Sequence, residues 1–178
     1  MSRPADSLPP SLLLALLLVS GVVLGRSTDR NQPLDVQSNS NDCSIADDGP
    51  CTFTGNVHLV QGTLDIHAAR ADVQRGGGDI RRVVLTGAPV VLTQQLDNGS
   101  TLNAQASKVD YDMTTDTVVF TGSAVIDQPG RGNIAGARIA YNMKTGQVQS
   151  GGEGQGQVKM RFLPKNAQPA AAKPKGNG

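Results

Sequence analysis

Two blocks of sequence recur three times in this chain, and that recurrence limits the fold more than any single residue does. Three segments end in Thr-Gly: Thr52-Phe53-Thr54-Gly55, Val84-Leu85-Thr86-Gly87 and Val119-Phe120-Thr121-Gly122. Each is followed by a short apolar run, namely Val57-His58-Leu59, Val90-Val91-Leu92 and Ala124-Val125-Ile126. The second block occupies 65–73, 103–111 and 133–141, and its last two copies continue alike into Tyr111-Asp112-Met113 and Tyr141-Asn142-Met143. Repeated units of this kind bury an apolar face by stacking on their neighbours. The runs are rich in Val, Ile, Leu, Thr and Tyr and are broken by Gly, Asn and Asp, with no sustained 3.6-residue period. They predict an all-β fold assembled from repeated hairpins.

Hairpin registers follow by arithmetic. A two-residue turn at Gln61-Gly62 sets Leu59 against Leu64 and Val57 against Ile66 on one face, with Asn56, His58, Asp65 and His67 on the other. In the next hairpin a two-residue Asn98-Gly99 turn would put Leu92 and Leu102 on opposite faces. A three-residue loop, Asp97-Asn98-Gly99 with Gly99 left-handed, pairs Leu92 with Ala104 and Val90 with Ala106 and keeps Leu102 on their face. Along the second block the apolar alternation slips by one step: Leu64, Ile66 and Ala68 give way to Ala71 and Val73, and Leu102, Ala104 and Ala106 to Val109, Tyr111 and Met113. A bulge or sharp bend restores one common face, whereas a flat strand leaves the two sets on opposite sides.

The ends of the chain read differently from its body. An apolar run at 12–24, preceded by Arg3, is short for a bilayer span of roughly 20 residues and predicts an export signal, 1–25, cut after Gly25. The competing reading is an uncleaved membrane anchor. Residues 26–32 are polar and expected to be mobile, and the folded body begins near Gln32-Pro33-Leu34, so the domain is placed at 26–163. From Pro164 to the end, Pro, Ala, Lys, Asn and Gly dominate, which predicts a disordered basic tail. The formal net charge of +1 gives no field suited to nucleic acid. Cys43 and Cys51, the only cysteines, flank a turn signal at Asp48-Gly49. In an oxidising compartment they can pair, closing a small loop worth about 2–3 kcal/mol in the loop-entropy model; otherwise they are two free thiols.

Little in the chain suggests chemistry. No nucleophile, histidine and acid stand at a catalytic spacing. His58, Asp65 and His67 share the polar face of the first hairpin, the histidines as diagonal neighbours, which makes a metal site conceivable, but a solvated sheet face explains the same residues and no fourth ligand is evident. Gly76-Gly77-Gly78 lacks the lysine and the strand–helix context of a phosphate loop and reads as a flexible connection. Arg70, Lys108 and Arg138 fill the same slot of the three repeats. They fit either contacts to phosphate at a groove rim or plain edge protection and solubility.

Taken in order, Gln32-Pro33-Leu34, Phe53-Thr54-Gly55-Asn56-Val57, Gln61-Gly62-Thr63, Asp97-Asn98-Gly99 and Val119-Phe120-Thr121-Gly122 resemble the OstA-like domains of the lipopolysaccharide-transport family, over residues 32–160. The resemblance implies a single-domain twisted β-jelly roll open along one edge, with an apolar interior that takes the lipid A part of lipopolysaccharide. It implies a periplasmic, non-enzymatic carrier without cofactor that stacks head to tail and continues the stack into the inner-membrane component LptC and the outer-membrane component LptD. The chain departs from the expected pattern in its Cys43/Cys51 pair and in its scarcity of aromatic residues, 3%. The inward-facing, groove-lining set is expected to be Leu34, Val36, Val57, Leu59, Leu64, Ile66, Val90, Leu92, Leu102, Val109, Tyr111, Met113, Val118, Phe120, Ile134, Ile139 and Tyr141. Three other functions compete with the bridging carrier: a membrane-anchored LptC-like subunit of the same fold, a structural β-repeat protein that binds no lipid, and a metal-dependent enzyme built on the His58 hairpin.

Overall fold

The computed structural model describes residues 28–46, 48–152 and 156–164. The expected export signal over 1–25 and the basic tail beyond Pro164 lie outside them. A 3-10 turn, Asp29–Asn31, precedes ten strands: β1 (Leu34–Gln37), β2 (Ser40–Cys43), β3 (Cys51–Gln61), β4 (Leu64–Gly76), β5 (Asp79–Gln95), β6 (Thr101–Asp112), β7 (Thr117–Gln128), β8 (Gly132–Asn142), β9 (Val148–Ser150) and β10 (Lys159–Phe162). They form one antiparallel meander in the order β1-β3-β4-β5-β6-β7-β8-β10, with β2 also on β3 and β9 also on β8. The sheet is open, not closed into a barrel. One edge carries β1 and β2, which take successive halves of β3. The other carries β10 and β9, which do the same along β8.

The Thr-Gly pairs, expected to end short strands, lie inside long ones. At each the register breaks. β3 uses Thr54 to Val57 where β4 uses Arg70 to Ala68. β5 uses Thr86 to Val90 against Lys108 to Ala106, and β7 uses Thr121 to Ala124 against Arg138 to Gly136. The surplus residues on β3 and β7 are Gly55-Asn56 (φ 79° and 46°) and Gly122-Ser123 (φ 81° and 49°). Glycine enters that left-handed region freely, and there is no room for more: a Cβ on Gly55 would come within 2.8 Å of Asn39 Nδ2, and one on Gly122 within 2.8 Å of Ser107 Oγ. The aligned bulges make a crease across the sheet.

The crease answers the phase change seen in the sequence. Leu85 and Leu92 are an odd number of positions apart, so a flat strand would point them to opposite faces. Both line the same cavity, as do Leu102 and Val109. The strands bend, and both halves turn one apolar face inward. Val57, Leu85, Val90, Val109, Phe120 and Ile139 are fully buried in the single core cluster that results.

Three sequence expectations need correction. The first hairpin turns at Gly62-Thr63, with Gln61 opposite Leu64 and Leu59 opposite Ile66. The register moves by two positions, so the assigned faces survive. Gly77 and Gly78 (φ 64° and 82°) form a tight two-residue turn between β4 and β5, a conformation two glycines adopt without penalty. Residues 28–32 are held in place: Asp29 is 4% exposed and accepts hydrogen bonds from Thr63 N (3.1 Å), Thr63 Oγ1 (2.6 Å) and Gln94 Nε2 (3.1 Å). The second hairpin has the expected register, with Leu92 opposite Ala104, Val90 opposite Ala106 and Gly99 at φ 77°.

Candidate functional site

The inside of the bent sheet is the candidate site. A narrow apolar cavity of about 60 Å³ runs between the two halves of the strands. Leu59 and Ile66 on one side and Leu85, Val109 and Phe120 on the other form its walls, and Met113 and Met143 extend it towards the β6–β7 and β8–β9 turns. Beside it, at the β8–β10 edge, opens a wider cleft of about 540 Å³, lined by Ile126, Ile134, Val148, Met160, Phe162 and Leu163 among others. Leu102 and Tyr141 belong to both, so the two spaces adjoin. The cleft alone has the size of a small-molecule site, commonly about 300–1,000 Å³.

Polar groups mark the two ends. At the β1 end Gln61 and Gln94 reach the narrow cavity, and Gln94 is tied to Asp29, which sets the 3-10 turn beside it. At the β10 end Arg131 and Arg161 line the cleft, and among the described residues neither forms an ion pair. Phe162, 79% exposed, and Met160, 46% exposed, stand there as well.

Of the expected groove residues, Leu34, Leu59, Leu64, Ile66, Leu92, Leu102, Val109, Tyr111, Met113, Val118, Phe120 and Tyr141 line the narrow cavity. Ile134 lines the cleft. Val57, Val90 and Ile139 are buried in the core, and Val36 packs against it, without reaching either space. Val83, Leu85 and Met143 line the cavity and were missed. The repeat contained the signal: Leu85 holds the slot of Phe120 before Thr-Gly, and Met143 that of Met113.

Arg70, Lys108 and Arg138 need a different correction. They form one row across the sheet, alternating with threonines: Arg70 faces Thr86, Thr86 faces Lys108, Lys108 faces Thr121, and Thr121 faces Arg138. Their sequence neighbours Ala71, Val109 and Ile139 are buried, so alternation turns the basic side chains outwards, away from the cavity. Arg70 Nε donates to Asp72 Oδ2 at 2.8 Å and Lys108 Nζ lies 3.9 Å from Asp110. The Arg70 guanidinium holds the Asp72 carboxyl below its ordinary range, and Arg82, donating at 2.7 and 2.6 Å, does the same to Asp110 against an opposing effect of burial. Arg70 and Lys108 are thus engaged with neighbouring acids, whereas Arg138 forms no ion pair among the described residues.

On the same outer face the two histidines are directly opposed, not diagonal, with rings stacked at 4.3 Å. Cys43 and Cys51 face each other across β2 and β3, Cα atoms 4.0 Å apart, and are joined as a disulfide. Arg75 closes over the intervening loop, donating to the carbonyls of Gly49 (2.9 Å), Ser44 (2.6 Å) and Ala46 (3.0 Å).

A family profile described as "LptA/(LptD N-terminal domain) LPS transport protein" matches residues 35–147. The chain is 30% identical over 164 residues to the lipopolysaccharide export system protein LptA of Haemophilus influenzae, spanning 90% of this chain and 94% of that protein. It is 33% identical over 154 residues to the protein of the same name from Escherichia coli K12, spanning 84% and 82%. Among solved structures, the crystal structure of LptH, the LptA-homologous periplasmic component of the lipopolysaccharide transport device of Pseudomonas aeruginosa, matches with a TM-score of 0.68. That match covers 77% of this chain and 99% of LptH at 22% identity, a likeness of fold.

Proposed function

The chain belongs to the LptA/LptD N-terminal-domain family of lipopolysaccharide transport proteins, and from that premise we propose that it is a periplasmic carrier which holds the acyl chains of lipopolysaccharide inside its bent sheet and relays them from inner to outer membrane. The observation that carries this reading is the apolar cavity adjoining a ligand-sized cleft along an open sheet edge. The chemistry needed is shielding alone. Exposing a methylene to water costs about 0.8 kcal/mol, so one chain of a dozen carbons costs on the order of 10 kcal/mol. An apolar trough lowers that barrier with no covalent step, and the protein acts as a carrier and not as an enzyme.

The guanidinium groups of Arg131 and Arg161, which form no ion pair among the described residues, take the anionic headgroup where the cleft opens, the role that was one of two readings of Arg70, Lys108 and Arg138. The partners on this reading are further copies of the chain and the OstA-like domains of LptC and LptD, added strand to strand at the β1/β2 and β9/β10 edges.

Photo-crosslinkers placed at Leu92 and Tyr111 are expected to capture lipopolysaccharide in cells, and crosslinkers at His58 and Asp65 on the outer face are not. Equal capture by the two sets refutes the interior site, and capture by neither returns the chain to a structural role.

A further inference from the structure

The proposed carriage of lipid assigns no role to His58, Asp65 and His67. They stand on the outer face of the β3–β4 hairpin, the face opposite Leu59 and Ile66. We propose that these three side chains form a binding site for one divalent transition-metal ion of the zinc class, with His58 Nε2, His67 Nε2 and an Asp65 carboxylate oxygen as ligands.

Antiparallel pairing supplies the geometry. His58 is directly across from His67, and Asp65 precedes His67 by two positions, so alternation sends all three side chains to one side. Asp65 Oδ2 lies 3.1 Å from His58 Nε2, and Asp65 Oδ1 lies 3.1 Å from His67 Nε2. One candidate ligand atom from each residue lies within 4.8 Å of the others. In a tetrahedral site with bond lengths of about 2.0–2.1 Å, ligand atoms sit about 3.3 Å apart. Each imidazole already lies near that distance from the carboxylate, His58 Nε2 from Oδ2 and His67 Nε2 from Oδ1, and rotation of the exposed His67 ring out of its stack on His58 brings both nitrogens round a single one of those oxygens.

The donor set selects the ion. Two imidazoles and one carboxylate suit zinc, copper or nickel, and not the all-oxygen preference of calcium and magnesium. Water completes the shell, because all three side chains are open to solvent, at 31%, 45% and 62% relative exposure for His58, Asp65 and His67. In binding, each neutral imidazole carries its hydrogen on Nδ1 and gives the Nε2 lone pair to the metal, and the carboxylate exchanges two hydrogen bonds for one metal bond. The platform is fixed in advance. The ladder is unbroken from Val57 opposite Ala68 to Gln61 opposite Leu64, and the Gly62-Thr63 turn is held by Asp29. The ion joins β3 to β4 one strand in from the edge that β1 occupies.

The test uses the full chain purified without a histidine tag, and Zn²⁺ alone as the probe. Calorimetry is expected to give one ion per chain with a dissociation constant in the micromolar range, a raised melting temperature with Zn²⁺, and no response to Ca²⁺ or Mg²⁺. His58→Ala and His67→Ala are each expected to weaken binding at least tenfold and to abolish the thermal shift, while crosslinking of lipopolysaccharide at Leu92 is unchanged. Because the chain has only 2 histidines, their ring NMR signals give a second measurement on the unmutated protein, and both should shift together at one equivalent of Zn²⁺. Zinc binding that is as tight in the double variant as in the wild type, or ring signals unmoved by stoichiometric Zn²⁺, overturns the proposal.

Discussion

At Asp29 one carboxylate decides the state of a whole segment. Its three hydrogen bonds reach the first hairpin turn and the buried amide of Gln94, 65 positions away. Replacing it with Ala leaves Gln94 and Thr63 without that acceptor, and hydrogen bonds to a charged group are worth about 1.5–3 kcal/mol. Asp29→Ala is therefore expected to lower unfolding free energy by about that amount in urea, with faster amide exchange at Thr63; an unchanged midpoint would contradict the role assigned to it. Asp110 acts through pH. Hydrogen bonding from Arg82 depresses its folded pKa below the ordinary 3.8, so its contribution is complete above that value and fades as pH falls through the lower folded one. Asp110→Asn should melt lower than wild type at pH 7, with the gap shrinking below about pH 4 as the wild-type carboxylate takes up its proton. A gap that stays constant down to pH 2 would assign the loss to packing instead. Neither role was legible in the sequence, because Asp29 falls among polar residues with no periodicity and Asp110 meets Arg82 only through the β5–β6 register.

The strand is the unit in which the repeat becomes shape. Copies of the Thr-Gly block fall on β3, β5 and β7, where the surplus residues crease the sheet, and copies of the second block fall on β4, β6 and β8, which follow the crease with small residues such as Ala68, Ala106 and Gly136. The turns after β6 and β8 repeat as well: Asp112 Oδ1 accepts from Thr114 N and Oγ1, and Asn142 Oδ1 from Lys144 N, Thr145 N and Thr145 Oγ1. At the edge, Leu163 N–H donates to Arg131 O at 2.8 Å. Strand alternation then turns the N–H of Met160 and Phe162 away from β8, to the outer side of the sheet edge. Met160→Pro removes one such donor while sparing the β8 ladder. It is expected to shift self-association to higher concentration in a sedimentation series, with crosslinking of lipopolysaccharide at Leu92 in the narrow cavity as the check that the interior is still formed. Unaltered assembly would move the stacking edge away from β10.

For the molecule as a whole, the two open edges differ in sequence, so the strand addition proposed above would be heterologous and, where its rotation does not close a ring, would propagate as a rod. Such a rod would align successive interiors into one trough and so connect this architecture to the proposed transport across an aqueous gap. A wild-type chain that stays monomeric at high concentration, alone and with its membrane partners, would leave a shuttle that carries one lipid at a time. Intact mass of the native exported protein tests the carrier against its anchored relative. A mass that begins after Gly25 and is two hydrogens short at Cys43 and Cys51 is expected; an intact N-terminus would favour the LptC-like reading.

Composition, alternation and threefold repetition determined the fold class, the strand faces and most of the apolar lining, because the period of two and the turn residues are local properties written in each segment. Even the misplaced first hairpin kept its faces, since a shift of two positions preserves parity. Tertiary structure alone decided what the strands enclose. Whether the two apolar sets of a strand share a side depends on bulges that must line up across neighbours, and whether Leu85 or Val57 reaches the cavity depends on how far the creased halves close. The basic slot shared by the three repeats looked like one site, yet its residues point outwards, Arg70 and Lys108 to neighbouring acids, while Arg131 and Arg161, which no repeat relates, meet at the cleft because β10 returns to pair with β8. Long-range pairing carries no local signature, and it is what turns this sheet into a trough.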